Sequence, residues 1–143
     1  MNHFSKKYAL IGVVVCILLI FMAACSGKDN ESKLRKRVTK YWSYIIDKNG
    51  KKVYEMEYSI LRKQVEPRIY ERKFKKLVVL YEHPEIKSIS IDKDGRTAVV
   101  KVGVTVGVRP PGSKKIFKRP VVLTEKWVLE KDGKWYHVPK NVF

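Results

Sequence analysis

Thr97-Ala98-Val99-Val100-Lys101-Val102-Gly103-Val104-Thr105-Val106-Gly107-Val108 is the stretch that decides the fold. Ala98, Val100, Val102, Val104, Val106 and Val108 recur at every second position. They therefore line one face of a strand, and β-branched valines suit a pleated, half-buried surface. Gly103 and Gly107 fall on the other face, where a missing side chain permits a bend or a bulge. A strand this long is expected to curve and to need an apolar cover.

Its neighbours carry the same period. Upstream, Ile86-Lys87-Ser88-Ile89-Ser90-Ile91 alternates and runs into the hairpin turn Asp92-Lys93-Asp94-Gly95. Downstream, Pro110-Pro111-Gly112-Ser113 turns the chain into a strand over Val121 to Glu130. Asp132-Gly133 then turns it into Lys134-Trp135-Tyr136-His137-Val138. Four antiparallel strands are predicted.

Before Ile86 the period changes. Leu34, Val38, Tyr41, Trp42 and Ile45 stand at i, i+4, i+7, i+8 and i+11, one face of a helix predicted from Asn30 to Asp47. Asn49-Gly50 ends it, and Val53, Tyr54 and Met56 suit a short second helix. Residues 62–81, interrupted by Pro67, read as mixed helix and coil. The fold class is α+β, with a long and a short helix packed against a curved antiparallel sheet of about four strands.

The chain of 143 residues begins differently. Lys6-Lys7 precedes an uncharged run from Tyr8 to Ala24, the pattern of an export signal. The alternative is a retained anchor, for which this run stands at the short limit of a spanning helix. Met22-Ala23-Ala24-Cys25 resembles the lipobox of bacterial lipoproteins. The resemblance implies that the Cys25 thiol takes up diacylglycerol and that cleavage falls between Ala24 and Cys25. Acyl chains such as palmitate then hold the chain to the membrane. Ser26 after the cysteine implies the periplasmic face of the outer membrane in a Gram-negative cell, and the outer face of the plasma membrane otherwise. The expected organisation is a signal peptide over 1–24, a lipidated tether over 25–32, of which residues 26–32 reach roughly 23–25 Å, and one α+β domain over 33–143.

Cys16 and Cys25 are the two cysteines, both in this N-terminal segment, so the domain has no thiol chemistry and no disulfide. Net charge is +17, falling to +15 when Lys6 and Lys7 leave with the signal. That charge attracts anionic lipid or wall polymer. Lys33, Arg35, Lys36 and Arg37 form the basic cluster nearest the lipidated cysteine and are the candidate contacts with an anionic surface, the alternative being a solvated helix face. Export argues against nucleic acid as a partner.

Tyr41-Trp42, Val53-Tyr54-Glu55 and Thr124-Glu125-Lys126-Trp127 running into Asp132-Gly133-Lys134-Trp135-Tyr136 carry a further resemblance. The chain resembles the nuclear-transport-factor-two-like, cone-shaped family, especially its small bacterial lipoproteins. That resemblance implies a curved sheet wrapped around the long helix, an interior able to take a small molecule, and possible homodimers. Enzymes on the scaffold place an Asp, or an Asp/His pair, inside the cone. Here Asp47, Asp92, Asp94 and Asp132 all fall at helix ends or turns.

Glu125, Trp127 and His137 remain as pocket candidates. Glu125 shares a strand face with Trp127, but cross-strand pairing with a surface Lys is the favoured reading. His83 precedes Pro84 in an expected loop, and His137 alternates with Trp135 on the last strand. No HxH, HxxxH or HExxH spacing, phosphate loop or serine nucleophile motif occurs, so no metal and no cofactor is expected. The bulky aromatics read as core. The expectation is a non-catalytic envelope lipoprotein that binds a partner protein or an anionic envelope component. The alternative is a small-ligand binder or enzyme using the cone interior.

Overall fold

The computed structural model describes residues 28–77 and 79–140. The signal segment, Ala24 and Cys25 lie outside them. Among the described residues, no helix is long and apolar enough to cross a membrane. The chain divides into the units Met1–Ser32 and Lys33–Phe143. In the first, residues 28–32 are helical, two residues ahead of the expected start. Each helical residue rises only about 1.5 Å, so residues 28–32 span less than an extended chain would.

In the second unit, helix α1 covers 33–46, followed by α2 (Gly50–Tyr54), α3 (Ser59–Gln64) and α4 (Pro67–Lys75). Strands β1 (Leu80–Ile91), β2 (Thr97–Val108), β3 (Phe117–Leu129) and β4 (Trp135–Val138) form one antiparallel sheet in that order. The expected helix stop at Asn49-Gly50 is divided among three residues. Lys48 takes the left-handed conformation (φ 53°) and Asn49 caps α2 by accepting from the Lys52 N–H at 3.1 Å. Gly50 is already helical, and an added Cβ would sit 3.0 Å from the Phe74 ring.

Pro67 opens α4 instead of breaking a helix, because the first turn needs no proline N–H. Strand β1 starts at Leu80, earlier than Ile86. His83 and Pro84 lie in a bulge between the Glu82 and Glu85 pairings, with His83 at φ 52°. His83 is thus exposed on a strand rather than in a loop. The bulge admits a proline that has no N–H for the ladder. The glycines of β2 do not break register, since β2 pairs β3 without interruption from Thr97↔Val128 to Val108↔Phe117. Instead, Gly103 makes room for the Lys87 side chain, which would lie 2.7 Å from an added Cβ.

Leu34, Val38, Tyr41 and Trp42 of α1 are buried with Ala98, Val100, Val102 and Val104 of β2 and with Trp127 and Trp135. Each full burial of such a side chain contributes about 1.5–3 kcal/mol. Strand β4 has a second neighbour. His137 N–H donates to the Met56 carbonyl and Tyr58 N–H donates to the His137 carbonyl, both at 2.9 Å. Glu57 therefore bridges His137 in parallel, and the loop after α2 is fixed against the end of the sheet.

Candidate functional site

Two buried carboxylates face the space between α1 and the sheet. Glu125 is 8% exposed and Glu57 is 1% exposed. Glu125 pairs with Val100 in register, which puts it on the inner face beside Trp127. Its Oε1 accepts from Trp42 Nε1 at 2.9 Å and its Oε2 from Trp127 Nε1 at 3.1 Å. This corrects the expected surface pairing with a lysine: position 125 shares the side of the sheet that α1 covers. Burial raises the Glu125 pKa, His137 and the two indole N–H groups oppose the rise, and Glu57 adds to it.

Glu57 is the centre of a second network. Its Oε1 accepts from the hydroxyls of Tyr41 at 3.0 Å and Tyr70 at 2.9 Å. Its Oε2 lies 2.9 Å from His137 Nδ1, which is also 2.9 Å from the Tyr41 oxygen. Burial first, then the Glu57 charge, holds both phenols well above their ordinary pKa, so both remain neutral donors. The His137 ring stacks obliquely on Tyr41 at 4.7 Å and meets Trp127 at 5.5 Å.

These groups form one side of a cavity of about 380 Å³. Ile45, Leu61, Phe74, Leu77 and Leu123 supply much of its apolar wall, and Glu57, Glu125, His137 and Lys140 are among its ionisable groups, with the phenols of Tyr41, Tyr70 and Tyr81. The interior is open, while Trp127 and Trp135 fill the core behind it. Of the sequence candidates, Glu125 and His137 line this cavity and Trp127 orients Glu125. Asp47, Asp92, Asp94 and Asp132 are exposed, outside it. Glu57 was not legible beforehand. It lies between Met56 and Tyr58, just beyond a five-residue helix, and only its pairing with β4 brings it inward.

The basic candidates separate. Lys33, Lys36 and Arg37 line a surface cleft with Lys40, Lys134 and Trp135. Arg35 lies elsewhere, beside Thr39, Trp42 and the β1 bulge. Among the described residues, no group of three or more His, Cys, Asp or Glu side chains is placed to hold a metal.

A curved antiparallel sheet closed by helices over a pocket with buried ionisable groups is the nuclear-transport-factor-two-like cone. The comparison with solved structures agrees. The chain is similar to a proposed dehydratase of the NTF2-like family from Streptomyces avermitilis, with TM-score 0.54 and 11% identity, over 78% of this chain and 95% of that one. It also matches the intermembrane space region of chloroplast protein ARC6, with TM-score 0.32 and 13% identity, over 70% and 92% of the two chains. No family model and no curated relative matches the chain. At 11% identity the likeness to the Streptomyces structure is one of fold.

Proposed function

We propose that this chain is a bacterial envelope lipoprotein, lipidated on Cys25 after loss of residues 1–24. Its cone is a non-catalytic binding module for a small, mostly apolar ligand that carries a hydrogen-bond donor or a cation. The observation that carries the ligand reading is the cavity of about 380 Å³ over Glu125, within the range of roughly 300–1,000 Å³ typical of ligand sites. A carboxylate has about four acceptor positions, and the two indoles take two, leaving others for a ligand. An open interior favours this reading over a module that acts only through its basic surface.

The anchor reading rests on Met22-Ala23-Ala24-Cys25. Its test is labelling of cells with a radioactive fatty acid. Cys25→Ser should lose the label and accumulate as uncleaved precursor, and unchanged labelling refutes the anchor. The ligand reading is tested by titrating the full chain in lipid nanodiscs with phenylalkylamines and following thermal unfolding. Stabilisation of several degrees is expected in the wild type, weakened in Glu125→Gln and lost in Leu123→Trp, which fills the cavity. No stabilisation of the wild type by any member of the series refutes the reading.

The Glu57–His137 contact at 2.9 Å favours a second reading, acid–base catalysis on a cavity ligand, the class of activity proposed for the Streptomyces protein. Wild-type turnover of a bound compound that His137→Ala abolishes, with binding retained, distinguishes it from simple binding.

A further inference from the structure

The cleft that separates Arg35 from its basic neighbours has a built character of its own. Lys33, Lys36, Arg37 and Lys40 stand at i, i+3, i+4 and i+7 along α1, and Lys134 faces them from the turn before β4. Two elements distant in sequence therefore converge on a hollow of about 270 Å³ whose charged lining groups are all cationic. Arg37 is held in place. Its Nε–H donates to the Trp135 carbonyl at 3.0 Å and its guanidinium lies 5.3 Å over the Tyr136 ring. The planar fork of an ordered arginine matches phosphate oxygens with little further loss of side-chain freedom. Trp135, also in the lining, is buried, and its indole N–H has no acceptor among the described residues. Asp132 reaches Lys134 at 3.6 Å, but its Oδ2 also accepts from the Tyr136 hydroxyl at 2.7 Å. Lys36, Arg37, Lys40 and Lys134 together offer a phosphate several cationic donors in one place.

We propose that this cleft binds the phosphate of an anionic lipid headgroup. The choice of a membrane phosphate rests on the anchor at Cys25. Lys33 follows that residue by eight positions, which bounds its distance from the lipid at roughly 29 Å for an extended chain. The cleft's cationic chemistry stands without the anchor.

The test uses the full chain in three settings: neutral phosphatidylcholine vesicles, vesicles containing phosphatidylglycerol, and neutral vesicles with added inorganic phosphate. Acetylation rates of individual lysines are read by mass spectrometry. Phosphatidylglycerol should slow acetylation of Lys36, Lys40 and Lys134 by about threefold or more, leaving Lys73 and Lys75 of α4 unchanged. In Lys36→Gln/Lys40→Gln, substitutions at exposed positions that leave the core intact, Lys134 should lose its protection. Equal rates in neutral and anionic vesicles, or protection confined to α4, overturn the proposal. Equal protection by inorganic phosphate assigns the cleft to a soluble anion and overturns the lipid assignment. Failure of the chain to float with neutral vesicles would count against the anchor and is read separately from the lysine pattern.

Discussion

Replacing Glu57 by Leu should destabilise the domain more than any surface change, because three polar partners converge on one carboxylate. Glu57 is 1% exposed and takes the Tyr41 hydroxyl at 3.0 Å, the Tyr70 hydroxyl at 2.9 Å and His137 Nδ1 at 2.9 Å. Leucine removes the acceptor and leaves those donors buried. Each stranded polar group costs about 1–3 kcal/mol. Since the three contributions share one site they do not add fully, and a net loss of about 3–5 kcal/mol is expected. Glu57→Gln keeps one acceptor oxygen and should lose about 1–2 kcal/mol. The informative variant is Glu57→Leu/Tyr41→Phe/Tyr70→Phe, in which two of the stranded donors are gone. Removing both sides of a buried hydrogen bond is nearly neutral, so the triple variant should recover at least half of the loss. Urea unfolding of the full chain in nanodiscs measures the midpoints at constant slope. If Glu57→Leu lies within 1 kcal/mol of wild type, or if the triple variant is no more stable than the single one, the network does not hold this end of the sheet.

Glu125 makes a prediction in pH. Burial raises its pKa, so the native chain keeps this proton where the unfolded chain, near the ordinary value of 4.5, has released it. The native state then binds more protons, and this residue's contribution to stability falls as pH climbs from about 4.5 through the raised native value. Glu125→Gln should remove that part of the pH dependence while leaving one indole N–H without its acceptor, and an unchanged stability profile refutes the assignment. Lys48 offers the opposite sign. It holds φ 53° at an exposed helix end, so Lys48→Gly should raise stability by about 0.5–1 kcal/mol. A calorimetric melt that does not move upward contradicts that reading.

Period-two valines over 97–108 and the helical spacing of Leu34, Val38, Tyr41 and Trp42 are properties of consecutive residues, so the strands, the long helix and the side each turns to the core could be read without coordinates. The same rule placed Glu125 beside Trp127. Whether that face was covered depended on α1, and the covering helix turns an expected surface ion pair into a buried carboxylate bound by two indoles. The β1 bulge was hidden because a proline argues locally against a strand, whereas its neighbours in the ladder tolerate one irregular step. Glu57 meets His137 across 80 positions, through a bridge that no local pattern encodes. Lys33, Lys36 and Arg37 share a helical stripe that Arg35 leaves by the 100° turn per residue, yet Lys134 joins that stripe only through the path of the sheet. The sequence by itself determined the long helix and the order of four strands, the lipobox pattern and the strong positive charge, because these follow from spacing and composition. Only the tertiary structure decided that the cone is open, that two carboxylates face its interior and that the cations gather in one cleft, because each needs residues far apart in the chain to meet.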